Sequence, residues 1–251
     1  MEDLIGSRDP KDIHDLIQIY AVITSLPPEI GQLSNLQRVC IASSRLESLP
    51  PEIGQLSKLQ VLVLQDNRLT LLPPEIGQLC ELETLRVEQN QIKTLPPQIG
   101  QLRNLQELDI SDNQITFLPS EIGQLRNLWK LYACRNCLTF LPSEIGQMSN
   151  LRWLVLYENK LTFLPPEIGL LSKLETLSLC DNKLTSFPSE INRLYNLQIL
   201  WVNEFTSINT KYANIRALLK LRKRRYGLEK DVISMQIRRR RHLTLLTVEA
   251  S

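Results

Sequence analysis

Histidine is nearly absent from this chain of 251 residues: His14 and His242 are the only two, and they stand at opposite ends. A Ser/His/Asp or Cys/His arrangement therefore has little to work with. Glycine is scarce as well. Seven of the nine glycines occupy a single column 23 residues apart, so no glycine-rich loop exists to cradle a phosphate. No stretch of about 18 consecutive apolar residues occurs, which argues against a membrane-spanning helix. The first ten residues lean acidic and lack a basic segment followed by an apolar run, so no secretory signal is expected. The cysteines are odd in number and scattered: Cys40, Cys80, Cys134, Cys137 and Cys180. That pattern points to a reducing compartment rather than a disulfide framework. Cys134 and Cys137 form a C-x-x-C pair, but no second pair or neighbouring histidine completes a zinc set. No metal, no cofactor and no enzymatic activity are expected.

Hydrophobic residues make up 43% of the chain and charged residues 22%, enough for a core and too apolar for disorder. The formal charge of +2 hides an asymmetry. Residues 211–251 carry 12 of the 29 Lys+Arg and 3 of the 27 Asp+Glu, a local balance of +9, while the rest of the chain nets −7.

Against these absences stands one dominant presence, a repeat. Leu26-Pro27-Pro28-Glu29-Ile30-Gly31-Gln32-Leu33 returns at Leu49, Leu72, Leu95, Leu118, Leu141, Leu164 and, altered, at Phe187. The period is 23 residues throughout, giving eight units without insertion or deletion. Within a unit, Leu62 and Leu64 alternate with Val61, Val63 and Gln65, the period of a strand with one buried face. The Pro-Pro-Glu-Ile-Gly segment cannot be strand, because proline lacks a ladder donor and restricts the residue before it. A short helical or 3-10 piece is expected there. One unit cannot bury its leucine face alone, but stacked units share one continuous core.

The pattern Leu59-x-x-Leu62-x-Leu64-x-x-Asn67-x-Leu69, followed by Leu72-Pro73-x-x-Ile76, resembles the leucine-rich repeat family over roughly residues 13–207. The Leu-Pro-Pro-Glu-Ile-Gly-Gln-Leu segment looks most like the intracellular Ras-group type, as in Ras-suppressor and Scribble/Erbin proteins. The resemblance implies an α/β repeat solenoid: a horseshoe with a parallel concave sheet and short helical or 3-10 convex segments. It further implies a non-enzymatic scaffold or adaptor in intracellular signalling. The partner would be a small GTPase, a phosphatase or another signalling protein, bound by a monomer in the cytoplasm. Secreted repeat proteins of this kind usually cap their ends with paired cysteines, and none lies before Cys40 or after Cys180.

Other columns refine the picture. Asn67, Asn90, Asn113, Asn136, Asn159 and Asn182 read as buried amides satisfying the backbone of adjacent turns. The glycine column gives way to Asn192 in the eighth unit, which suggests a left-handed backbone; mere avoidance of a clash is the other reading. Phe117, Phe140 and Phe163 read as core or ridge packing. Glu29, Glu52, Glu75, Glu121, Glu144, Glu167 and Glu190 form an acidic, solvated convex ridge. Residues 1–25 form an N-terminal cap with a degenerate turn in which Ile13, Leu16 and Ile23 keep register, and residues 26–207 form the eight repeats. Tyr212, Ile215, Leu218, Leu219 and Arg222 are spaced for a capping helix over 208–226, with Asn209 or Thr210 as N-cap. A basic tail follows over 227–251, compatible with strand, helix or disorder.

Outward strand positions vary freely between units. Units three and four are acidic there, with Glu83, Glu88, Glu107, Asp109 and Asp112 around Arg86. Units five and six carry Trp129, Tyr132, Trp153 and Tyr157, mixed with Lys130, Arg135, Arg152 and Val155. All three tryptophans, Trp201 included, are expected to face outward. Trp, Tyr and Arg are enriched at interface hot spots, so a protein-binding concave face is expected; the plainer reading is that these side chains merely pack on one another. Two basic clusters, Lys220 with Arg222, Lys223, Arg224 and Arg225, and Arg238, Arg239, Arg240 and Arg241, offer an alternative. Such clusters direct nuclear import or contact phosphates and anionic lipid, or simply cap the stack in solvent. The mixed-to-acidic concave face makes nucleic acid an unlikely partner.

Overall fold

The computed structural model describes residues 9–20 and 22–203, with Pro10 and Asn203 as backbone only, and the backbone of residues 235–239 and 242–246. One sheet contains all the strands in sequence order: β1 (Asp15–Ile19), β2 (Arg38–Ala42), β3 (Val61–Val63), β4 (Thr84–Arg86), β5 (Glu107–Asp109), β6 (Lys130–Tyr132), β7 (Trp153–Val155), β8 (Thr176–Ser178), β9 (Ile199–Asn203), β10 (Met235–Arg239) and β11 (His242–Leu246). The first nine pair in parallel, β10 pairs in parallel with β9, and β11 returns antiparallel to β10. From β1 to β9 the register is constant at 23 residues, so Thr84, Glu107, Lys130 and Trp153 are direct neighbours, as are Arg86, Asp109, Tyr132 and Val155. Each convex segment is a 3-10 turn such as Pro74–Gln78 or Ser120–Gln124, entered through a proline; where a second Pro opens the turn, as at Pro74, its missing N–H is no loss. Between sheet and turns lies one core, in which Leu59, Leu62, Leu64, Leu69, Ile76 and Leu79 are all fully buried. Among the described residues no helix is long and apolar enough to cross a membrane.

At the N-terminal end of the described residues Ile13 and Leu16 are buried, and β1 pairs residue by residue with β2. The capping helix over 208–226 lies outside the described residues. In the tail, two strands occupy part of the segment for which strand, helix and disorder were all open.

The asparagine column behaves as expected. The Asn90 amide nitrogen donates to the carbonyls of Leu64 at 2.9 Å, Val87 at 3.1 Å and Glu88 at 3.2 Å, while its oxygen accepts from Leu69 N–H at 2.9 Å. One side chain thus ties its own turn to the preceding one. A second ladder escaped the sequence reading. Asn104, Asn127, Asn150 and Asn196 donate to the carbonyls of Cys80, Arg103, Arg126 and Ser172 one turn earlier. Where lysine stands in that column, Lys58 and Lys173 donate instead to the Asn35 and Asn150 side chains.

The glycine column requires correction. None of the seven glycines has a left-handed backbone; an added Cβ at Gly100 would sit 2.5 Å from the carbonyl oxygen of Glu121 in the next turn, and at Gly77 2.6 Å from that of Gln98. The column exists because successive 3-10 turns touch there. The left-handed column lies elsewhere, at Tyr20, Ser43, Asp66, Gln89, Asp112, Arg135, Glu158 and Asp181, each one residue before the asparagine position. For the phenylalanine column the structure chooses the ridge over the core: Phe117, Phe140 and Phe163 are 42–54% exposed, because Ile115, Leu118 and their equivalents already fill the interior.

Two stability outcomes follow. Gly100→Ala should destabilise the fold by about 1–3 kcal/mol, because backbone carbonyl cannot yield as a flexible side chain would. Asn113→Ala should lose about 1–3 kcal/mol through unmet backbone groups. Denaturant melts of the full chain check both, and an unchanged midpoint for either removes the corresponding explanation.

Candidate interaction site on the concave sheet

The three-residue strands are too short to vary inward, where every position is a packed Leu, so chemical variety is confined to the outward side chains. Across β4–β7 these form three adjoining groups. The first stands at the strand starts of β6 and β7. Lys130 places its ammonium 4.2 Å from the centre of the Trp129 ring and 5.6 Å from that of Trp153. Trp129 itself precedes β6 and is half-buried, so it sits on the rim of the sheet rather than projecting from it as expected. Trp153 remains 38% exposed. Arg152 reaches Glu175 at 2.9 Å. Asn127, Trp129, Asn150, Arg152, Trp153 and Glu175 surround an open depression of about 420 Å³.

The second group is acidic. Arg86 grips Glu107 through two nitrogens at 2.9 and 2.6 Å, and Lys130 stands 3.5 Å from the other oxygen. Glu88 and Asp109 lie beside them, and burial pushes both carboxyls above their ordinary range. Asp109 also accepts the backbone N–H of Ser111 at 2.9 Å, which opposes that rise. Tyr132, next to Asp109 across the β5–β6 pair, has its phenol raised by burial first and then by Glu107 and Asp109.

The third group lies beyond the strand ends. Arg135 stacks 5.5 Å from the Tyr157 ring and lies between Asp112 at 3.5 Å and Glu158 at 3.4 Å. Burial and Cys134 push the Tyr157 phenol up to about 12. Cys134 was expected to face outward; it does belong to this face, but its neighbours cover it to 6% exposure, and burial raises its thiol. No disulfide forms among the described residues, and no group of three His, Cys, Asp or Glu could hold a metal ion there.

The structure therefore brings Arg86, Glu107, Asp109, Lys130, Tyr132, Trp153 and Val155 together on one face, with Trp129 and Arg152 on its rim and Tyr157 at its far edge. Sequence reasoning missed Asn127, Asn150 and Glu175, although the first two share a 23-residue spacing that a search of the loop before each strand would find. Of the basic clusters, Arg238 and Arg239 have their backbone in β10, while Lys220, Arg222, Lys223, Arg224, Arg225, Arg240 and Arg241 lie outside the described residues.

The acidic group makes a pH-dependent prediction. A carboxyl whose folded pKa is raised contributes most stability below its unfolded value, and that contribution is lost as pH climbs to the folded value. For Asp109 and Glu88 the loss starts near 3.8 and 4.5. The Glu88→Gln/Asp109→Asn variant should melt higher than the wild type at about pH 7 and alike at about pH 3. A lower melting point at neutral pH would show that the charged forms stabilise the fold.

Comparison with known proteins supplies the family. The family model described as "Leucine-rich repeat region" matches residues 74–151 and 142–250, and "Leucine Rich Repeat" matches residues 58–79. No curated protein matches the chain. Among solved structures, a leucine-rich repeat protein of Leptospira interrogans is 33% identical over 83% of this chain and 66% of its own, with a TM-score of 0.54. The ectodomain of the Arabidopsis thaliana receptor kinase GASSHO1/SCHENGEN3, solved in complex with Casparian strip integrity factor 2, is 31% identical over 71% of this chain with a TM-score of 0.66. The leucine-rich repeat domain of the type III effector XopL is 27% identical, with 75% of this chain and 76% of that one covered and a TM-score of 0.61. The chain spans less than two thirds of the Leptospira protein and 22% of the plant ectodomain. With a repeat model matched over most of its length, and nine parallel strands alternating with 3-10 turns, the chain belongs to the leucine-rich repeat family.

Proposed function

We propose that the chain is a non-enzymatic adaptor that binds a protein across the concave face of β4–β7, with Trp153 and the Trp129–Lys130 stack at the centre of the contact. The observation that carries this reading is the open depression between Trp129 and Trp153, where a half-exposed tryptophan adjoins Arg152 and Lys130. Trp and Arg are the residues through which a few contacts carry most of an interface's binding energy. Lys130, spread over two aromatic rings and held near Glu107, is pre-ordered, so little side-chain entropy remains to be lost on binding. The neighbouring Arg152–Glu175 pair is partly exposed and contributes little to stability, which leaves it free to serve recognition. The fold is commonly a protein-interaction module, and the plant relative was captured with a bound factor. Ras-group character of the repeat supports an intracellular signalling partner such as a small GTPase or phosphatase, bound by a monomer in the cytoplasm.

Trp153→Ala or Tyr132→Ala should weaken binding of a partner by about 2 kcal/mol, roughly thirtyfold in Kd, with the melting curve unchanged. Calorimetry on the purified complex measures it. A partner bound equally by both variants engages some other surface.

A further inference from the structure

The charges of the repeats are sorted by place. In the loops that enter β5, β6, β7 and β8 (residues 101–106, 124–129, 147–152 and 170–175) the charged side chains are Arg103, Arg126, Arg152, Lys173 and one carboxylate, Glu175. The loop entering β4 has the opposite sign, with Glu81 and Glu83 and no cation. Residues 1–210 hold more Asp+Glu than Lys+Arg, so this basic rim runs against the balance of the repeats. Glu175 is committed to Arg152, which gives it one nitrogen at 2.9 Å. Among the described residues Arg103, Arg126 and Lys173 enter no ion pair, and all three are exposed. Hydrogen bonds tie the residues that carry these cations to the edge of the depression between Trp129 and Trp153. Asn127 and Asn150, which line it, donate to the carbonyls of Arg103 and Arg126, each at 2.8 Å. The Lys173 ammonium donates to Asn150 Oδ1 at 2.6 Å. From the other side Lys130 lies over the rings of Trp129 and Trp153, so the protein's own ammonium already holds the place that a partner's cation would seek.

We infer that the depression receives an apolar side chain from an acidic segment of the bound protein, whose carboxylates lie along the rim over Arg103, Arg126, Arg152 and Lys173. This rests on the concave-face reading proposed above and names the chemistry of the partner. Charge complementarity selects the sign of the segment. Guanidinium groups without an internal ion pair, those of Arg103 and Arg126, take carboxylates through two parallel hydrogen bonds. Trp153, 38% exposed at the edge of a space of about 420 Å³, supplies the apolar contact between those charges. On the sheet itself Glu107 and Asp109 repel an acidic segment and so keep it to the rim. The same carboxylates disfavour a nucleic-acid strand, whose phosphates need a continuous cationic track. Here the track is closed by Glu83 toward β4 and by Glu175 before β8.

The test is a titration of the full chain, labelled at the tryptophan indole nitrogens for NMR, with capped peptides that share a central phenylalanine. One carries Glu-Asp-Phe-Asp-Glu, one Gln-Asn-Phe-Asn-Gln and one Lys-Arg-Phe-Arg-Lys; an oligothymidylate completes the set. The acidic peptide should shift the indole signals of Trp129 and Trp153 saturably and leave that of Trp201 in place. The neutral peptide should bind more weakly and the basic one most weakly. Added salt should weaken the acidic peptide, because exposed charges are screened. The Arg103→Glu/Arg126→Glu variant, shown to be folded by its melting curve, should bind it about tenfold more weakly. Should that variant melt early, the peptide series and the salt dependence of the unaltered chain carry the test. Unmoved indole signals, equal or tighter binding of the neutral or basic peptide, insensitivity to salt, or an unchanged Kd in the folded variant would each overturn the inference. Tighter binding of the oligothymidylate than of the acidic peptide would overturn it in favour of nucleic acid. The two readings separate on a purified complex. A partner lost with Trp153→Ala but indifferent to Arg103→Glu/Arg126→Glu overturns this inference alone, and a partner indifferent to both overturns the concave-face reading with it.

Discussion

A primary amide, placed once per turn behind the strand, is the interaction on which the stack depends. The asparagine at this position meets carbonyls of two successive turns and accepts an N–H of the earlier one, as Asn90 does with Leu64, Val87, Glu88 and Leu69. Backbone hydrogen bonds between turns run on past the three-residue strands, as from Leu64 N–H to Arg86 and from Asp66 N–H to Glu88, but buried carbonyls such as those of Leu64 and Val87 are left to the amide. In a buried setting those groups must be satisfied by something. No other side chain of that size carries both donors and an acceptor in one plane. The amide fixes the turn geometry, the geometry fixes the 23-residue spacing, and the spacing brings every leucine onto the leucine of the next unit. The left-handed residue immediately before each asparagine follows from the same requirement, because the chain must turn sharply to point the amide inward.

That division of labour explains why one face is free to vary. Inward positions are held by packing, the convex turns by their close approach at glycine, and the loops before β5, β6, β7 and β9 by the second, more exposed asparagine ladder. What remains is the outward strand surface, where Thr84, Glu107, Lys130 and Trp153 occupy equivalent places with unrelated chemistry. Binding energy can be built there without disturbing the scaffold. Burial raises the carboxyls of Glu88 and Asp109, and both fall within the same surface.

How much of this was legible in the sequence depended on whether the signal repeats. The leucine and asparagine columns gave strand, register, core and buried ladder, because identical residues at a fixed interval can share only one environment. The glycine column was visible, but its meaning was not: a left-handed backbone and a close approach both select glycine, and only the position of Glu121 against Gly100 separates them. The true left-handed column was invisible because Gln89, Arg135 and Glu158 carry no common chemistry. The repeat spacing of Phe117, Phe140 and Phe163 is compatible with core or ridge, and only an interior already filled by Ile115, Leu118 and their equivalents decides for the ridge. On the concave face, the outward residues could be named from alternation alone. Which of them touch, and which are buried by curvature, as Cys134 is, required the turns to be placed in space.

The central claim is that a protein partner sits on the concave strands and not on the outer phenylalanine ridge. Hydroxyl-radical footprinting of the full chain, alone and with its bound partner, reads both surfaces at once because aromatic side chains are oxidised where solvent reaches them. The account predicts that the partner shields Trp153, Trp129 and Tyr157 while Phe117, Phe140 and Phe163 are oxidised as before. Shielding confined to the three phenylalanines, with Trp153 unchanged, would contradict it.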